Sequence, residues 1–236
     1  CKREFERGKI NVSSAGTLLS FMEKPNFKMS FGFAQYCAEG NLCGDTIKTI
    51  NDSRGHMVFI ISDGMGKGSR AALDGAMGAG LLSKLLSAGF GFDSSLKVVN
   101  SALLVKSHEE SLATLDCVRV DLFSGKCEFY KAGAPCSYIV KDDRLTKCEL
   151  TSMPAGILRG VEFAKRTTVL NTDDEIIMMS DGVTDVGNEW LEKFLRLETT
   201  LEPNEKAKAI LKIALENSDE KHRDDMSVIV AKMIER

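Results

Sequence analysis

The sequence predicts an α+β chain whose strands pair mainly antiparallel. Three observations carry this. Several short strand-like runs are joined by turns too tight for a crossover helix, as at Ser124-Gly125 before Lys126–Ala132. Helical spacing is confined to two stretches, 67–107 and 189–217, and does not alternate with every strand. Two continuous apolar runs, Met57–Ile61 and Ile176–Met179, both end in Ser-Asp-Gly, the mark of buried strands leaving the core at the same kind of place.

The 236 residues are 43% hydrophobic and 28% charged, enough for one compact domain. The net charge of −3 offers no broad basic field, which argues against a nucleic-acid partner. Seven cysteines, an odd number without a Cys-x-x-Cys pair, read as reduced thiols of a cytoplasmic domain. His56, His108 and His222 have no zinc-ligand spacing to them. No run is long enough to span a membrane, so no membrane contact is expected within these residues. The chain starts at Cys1 without an initiator Met, so the expectation is a fragment of a longer protein, with a membrane-anchored preceding part left open.

Residues 2–9 are densely charged and read as a helical or frayed lead-in, and 1–27 as a connector. From Lys28 to Cys37 apolar and small residues alternate, which predicts a strand. Glu39–Gly44 is a turn-rich hinge. Asp45–Ile50 alternates again, Asn51–Gly55 is a loop, and the strand ending at Asp63 follows. In an antiparallel hairpin the start of one strand lies beside the end of the next, so Asp45 and Asp63 should meet. Lys67–Ala88 is helical despite Gly75, Gly78 and Gly80. Each interior glycine weakens a helix by about 1 kcal/mol. Close packing on a sheet explains such glycines, and a helix able to shift on binding a partner is the sharper alternative. Asp93–Ser107 is a second helix with Asp93 as its N-cap. Residues 112–122, 126–132 and 136–140 form a meander, and Phe163–Leu170 and Glu175–Met179 are further strands. Two helices, 189–198 and 205–217, precede a charged loop and the final strand, Met226–Met233.

Asp45, Asp63, Asp181 and the pair Asp224-Asp225 thus stand at strand ends. Single aspartates there are usually turn residues. Gathered on one rim, they would repel one another unless cations held them, and hard ions such as Mg²⁺ or Mn²⁺ suit carboxylates.

The ordered set Gly44-Asp45, Asp63-Gly64-Met65-Gly66-Lys67-Gly68, Ser180-Asp181-Gly182 and Arg223-Asp224-Asp225-Met226-Ser227 resembles the metal-dependent protein phosphatases of the 2C type. The likeness is greatest to the bacterial branch typified by the C-terminal domain of stage II sporulation protein E. It runs from about Phe31 to the C-terminus, so 28–236 is expected to be the phosphatase domain. The resemblance implies an α–β–β–α sandwich of two mainly antiparallel sheets flanked by helices, with two Mn²⁺ or Mg²⁺ ions at the rim. It implies that Asp63 bridges both ions, that Gly64 offers its carbonyl and Asp45 its carboxylate to one, and that Asp181 and Asp224 hold the other. Asp63, Asp181 and Asp224 would be the catalytic acids. Asp225 is left in a supporting role, and Lys67, Gly75 and Gly78 would belong to a regulatory switch helix. The implied reaction is hydrolysis of a phosphoserine on a regulatory protein, of anti-anti-sigma-factor type, by metal-activated water. A homodimer is a further expectation, and a catalytically weak binding module is the alternative function. Met65 stands where eukaryotic relatives carry a histidine, and no arginine near Gln35–Cys43 replaces their phosphate-binding one. A nucleotide loop at Gly64–Ser69 is disfavoured because Gly68 separates Lys67 from Ser69.

Overall fold

The computed structural model describes residues 4–14, 16–40, 42–52, 54–66, 68–106, 112–142, 144–160, 162–187, 189–198 and 200–236. Lys67 lies outside the described residues.

The central strand explains the architecture. β5 (His56–Asp63) shows no polar alternation because both its faces are buried. Val58 and Ile60 pack against α1 (Gly68–Ser87) and α2 (Phe92–Lys106), joined by Leu82, Leu96, Val99 and Leu103. Met57, Phe59 and Ile61 point the other way, into the layer between two sheets. The first sheet has the order β10 (Ala164–Val169), β7 (Lys126–Ala132), β6 (Leu115–Asp121), β5, β4 (Asp45–Asn51). The second runs β3 (Phe27–Tyr36), β12 (Met226–Glu235), β11 (Glu175–Met179), β8 (Ser137–Lys141), β9 (Arg144–Cys148). β11 repeats the logic of β5: Ile176 and Met178 enter the layer between the sheets, whereas Ile177 and Met179 face α4 (Glu189–Leu197) and α5 (Pro203–Asn217). The result is the expected α–β–β–α sandwich, antiparallel at every described pairing.

Two expectations are corrected. The charged segment 2–9 is not helical where it is described: β1 (Phe5–Ser13) pairs with β2 (Gly16–Glu23) in a separate hairpin. The helix-favouring charges are outweighed by Gly8, Ile10 and Val12 and by the ladder these residues make, with Ile10 opposite Leu19 and Val12 opposite Thr17. Asp93 lies inside the first turn of α2, which begins at Phe92, so it supports the helix by its charge and not as the N-cap. β9 was not anticipated at all. Its alternation is masked by Arg144 and Lys147 on an exposed edge.

One buried polar group ties the two sheets together. Lys131 on β7 is fully buried and donates to Asp116 (2.6 Å), to the Pro135 carbonyl (2.6 Å) and to Ser137 on β8 (2.8 Å). Removing one partner leaves an uncompensated charge in the interior. Lys131→Met is therefore expected to destabilise the domain by about 3–5 kcal/mol. Lys131→Met combined with Asp116→Leu should recover much of that loss, as read from urea unfolding.

Candidate metal centre

Each acid reaches the rim by a different element, and each element ends there for a reason in the sequence. In the β4–β5 ladder Asp45 is paired directly with Asp63, as the hairpin reading required. Asp181 opens the short helix α3 (Asp181–Thr184) immediately after β11, and its Oδ1 accepts the Gly182 N–H at 2.8 Å. Asp224 and Asp225 lead into β12, which pairs with β11 so that Ser227 and Ser180 share backbone and hydroxyl hydrogen bonds. The chain therefore brings Asp45, Asp63, Asp181, Asp224 and Asp225 to the same end of the sandwich.

Their charges feel one another. Burial, followed by repulsion from Asp181, Asp45, Asp224 and Asp225, pushes the Asp63 carboxyl up to about 8. Burial also raises Asp45, to about 6, with Asp181 and Asp225 adding to the effect. Asp181 is raised by burial and by Asp185 and Asp224. Asp45 is the most telling. It is 4% exposed, and neither carboxylate oxygen has a hydrogen-bond partner. The hydroxyls of Ser180 and Ser227 accept from the Ser227 N–H and from Gln35, and each keeps an O–H that partly offsets the burial of Asp45, but neither reaches hydrogen-bonding geometry with it. A buried carboxylate with no donor is strongly unfavourable unless a cation compensates it. Among the described residues no three acidic, histidine or cysteine side chains converge tightly enough to form a finished metal cage. The donor set, all carboxylate and carbonyl oxygen, fits a hard divalent ion.

Gly64 and Gly75 set how closely α1 approaches these acids. A Cβ on Gly64 would lie 1.9 Å from the Ala71 carbonyl oxygen, and one on Gly75 would lie 2.2 Å from the Gly44 carbonyl oxygen. Gly78 meets Ser62 in the same way, at 2.8 Å from its hydroxyl. Close packing on the sheet accounts for both helix glycines. It also makes the seat of α1 part of the geometry that holds Gly44, Asp45 and Gly64.

The sequence reading missed two residues that brace the acids, Gln35 and Thr114, and left open how Asp225 supports them. Gln35 donates to the Asp45 carbonyl (3.0 Å) and to Ser227 (3.1 Å). Thr114 closes the end of β5: its N–H donates to the Asp63 carbonyl (2.7 Å), and its hydroxyl accepts the Asp63 N–H (3.3 Å). Asp225 accepts the Ala38 N–H (2.7 Å) with one oxygen and the Gly44 N–H with the other. Nothing in local spacing reveals these links, because most of them join residues far apart in the chain. Of the three histidines, His56 is held by Asp52 and His222 by Asp219, and His108 lies outside the described residues. Met65 is half exposed beside the site.

These shifts predict how stability depends on pH. A carboxyl whose folded value lies above its free-chain value of about 4 binds protons more tightly when folded. The stability it contributes is complete below about 4 and is lost as pH rises through about 6 for Asp45 and about 8 for Asp63. In chelator the melting temperature should fall by at least about 5 °C between pH 5 and pH 8. Mn²⁺ should reverse this, raising the melting temperature more at pH 8 than at pH 5.

A sandwich of two antiparallel sheets flanked by helix pairs, with acids from four elements at one rim, is the architecture of PP2C-type phosphatase domains. A family model described as "Stage II sporulation protein E (SpoIIE)" matches residues 53–234. The chain belongs to the SpoIIE family. It is 28% identical over 222 residues to the stage II sporulation protein E of Bacillus subtilis (strain 168), covering 91% of this chain but 27% of that protein. The structure of the PP2C phosphatase domain and a fragment of the regulatory domain of SpoIIE from Bacillus subtilis is matched over all of this chain and 71% of that one, with a TM-score of 0.85 and 25% identity. The catalytic domain of the phosphatase PstP, in complex with two manganese ions, shares the fold at a TM-score of 0.70 and 18% identity, over 88% of this chain and all of that one. Among the described residues no helix is long and apolar enough to cross a membrane.

Proposed function

We propose that the domain hydrolyses a phosphoserine monoester on a regulatory protein, with two Mn²⁺ or Mg²⁺ ions as cofactors. The partnerless buried carboxylate of Asp45, paired in register with Asp63, is the observation that carries this reading. In it Asp63 would be shared by both ions, the Gly64 carbonyl and Asp45 would hold one, and Asp181 and Asp224 would hold the other. Bound divalent ions supply a water acidic enough to act near neutral pH and neutralise charge on the transferred phosphoryl group. The chain's own part is to present five carboxylates at fixed positions. Gln35 and Thr114 hold the strand ends that carry Asp45 and Asp63, and Asp225 fixes the 38–44 turn through two backbone N–H groups. Asp225 is therefore a positioning residue. Proton delivery to the leaving serine oxygen is assigned to solvent, since neither described histidine belongs to this rim.

We take the substrate to be of anti-anti-sigma-factor type, a reading that membership of the SpoIIE family supports. The switch role of Gly75 and Gly78 rests on their contact with Ser62 and with the Gly44 carbonyl beside Asp45. Hydrolysis of p-nitrophenyl phosphate tests the reaction. Turnover should require Mn²⁺ or Mg²⁺ and stop with EDTA. Turnover unaffected by EDTA, or none with either ion, would overturn the reading.

A further inference from the structure

The sandwich is left open along one side. β3 is the edge of one sheet and β4 the edge of the other, and the two lie side by side where Gln35 reaches the Asp45 carbonyl. Below that link they leave a cleft of about 460 Å³ lined by Phe33, Gln35, Asp45, Ile47, Lys48 and Thr49. Its apolar floor belongs to the layer between the sheets. Phe33 is paired with Ile229, and Ile47 packs against the same core. Phe31 stacks edge-on against Phe59, with ring centroids 5.5 Å apart. Even so, Phe33 is 55% exposed and Phe31 38% exposed. Here the core is incompletely covered.

Both edges also present backbone groups to the cleft. Gly64 donates to the Gly44 carbonyl, which makes Gly44–Gly64 a hydrogen-bonded pair of the β4–β5 ladder. In an antiparallel ladder such pairs alternate, so Thr46 and Lys48 face β5, whereas Asp45, Ile47 and Thr49 turn their N–H and C=O outward. The Asp45 carbonyl does point outward, to Gln35. On β12, Ser227 spends its N–H and C=O on Ser180, so the outward backbone groups of β3 fall at Phe33 and Gln35 by the same alternation.

We propose that this cleft is the docking groove for the protein substrate, taken as an extended phosphoserine-bearing segment that adds a strand to the free edge of β4 and lays an alternate apolar side chain over Phe33. This rests on the phosphatase reading and deepens it. The occupant follows from continuity with the site, because one end of the groove is Asp45 itself. A segment bound along Asp45–Thr49 at about 3.3 Å per residue runs directly into the acid rim. Edge addition supplies affinity through backbone hydrogen bonds, and a pocket for alternate side chains supplies selection. It also supplies a way to position the substrate.

The test compares p-nitrophenyl phosphate with two synthetic phosphoserine peptides, one of about three residues and one of about twelve with alternating valines on both sides of the phosphoserine. Two or three added backbone hydrogen bonds predict that kcat/KM for the long peptide exceeds that for the short one by at least about fivefold. N-methylation of alternate amides in the long peptide should abolish the gain. Ile47→Pro removes one outward N–H, at an edge position where proline is tolerated. Phe33→Ser removes the apolar wall without touching the ladder. Each should lower kcat/KM for the long peptide by about five- to tenfold and leave p-nitrophenyl phosphate hydrolysis unchanged; Ile47→Pro should also lower the melting temperature, because Ile47 packs against the core. Equal kcat/KM for long and short peptides, or no effect of either variant on the long peptide, would overturn the groove while leaving the phosphatase reading intact. Failure of the wild type to hydrolyse p-nitrophenyl phosphate with Mn²⁺ would instead overturn that reading, and the groove with it.

Discussion

Asp63→Asn is expected to lower metal-dependent phosphatase turnover by about 10³-fold or more and, in the same protein without metal, to raise stability. The opposite signs have one cause. Asp63 is the carboxylate on which the field of the other four converges, and it faces Asp45 directly across the ladder. On the proposed assignment both ions would share its charge, and removing it would forfeit several kcal/mol of charge stabilisation in the reaction. Without metal, that same charge is only repelled and desolvated, so neutralising it relieves the folded state. The two measurements are p-nitrophenyl phosphate turnover with Mn²⁺ and the melting temperature in EDTA at pH 8. Near-normal turnover in the variant would remove Asp63 from the reaction. An unchanged or lower melting temperature in EDTA would remove the repulsion argument.

Gly75→Ala should have the next largest effect, on the site and the fold together. The new methyl would sit 2.2 Å from the Gly44 carbonyl oxygen, 3.0 Å from that of Ser62 and 3.2 Å from the Gly64 nitrogen, all backbone atoms with no rotamer to yield. α1 must lift from the sheet or β4 must move. Overpacking of this kind costs about 1–3 kcal/mol. Its effect on activity should be larger than its effect on stability, because the displaced atoms flank Asp45 and Gly64. Turnover is expected to fall by at least about tenfold, with a weaker apparent affinity for Mn²⁺. Gly80→Ala is the control on the same helix: nothing lies within 4 Å of its would-be Cβ. It should stabilise the domain by about 0.5–1 kcal/mol and leave turnover alone. Equal behaviour of the two variants would show that α1 does not set the geometry of the rim.

Strand content was readable where burial on both faces forced a continuous apolar run, as in β5 and β11, and where a tight turn fixed the register, as at Ser124-Gly125. It was misread in the first residues. There the density of charge suggested a helix, and the partner that makes β1 a strand lies a turn later in the chain. The acids were found because each closes an element visible in the sequence. Their supports, Gln35, Thr114 and Ser227, were not, because an uncharged side chain on a strand carries no sign of which distant backbone group it will meet.

The sequence alone determined most of the element types, the antiparallel pairing that sets Asp45 opposite Asp63, and the short inventory of aspartates from which a cation site could be built. These follow from local rules: periodicity, turn chemistry and the two-residue repeat of a strand. Only the tertiary structure decided that Asp45 is left without a donor, that Asp225 spends both oxygens on the 38–44 turn, and that the sandwich stands open beside Phe33. Those outcomes depend on how two separately formed sheets are brought face to face. Desolvation and unpaired edges arise only at that packing step, and no stretch of the chain encodes them by itself.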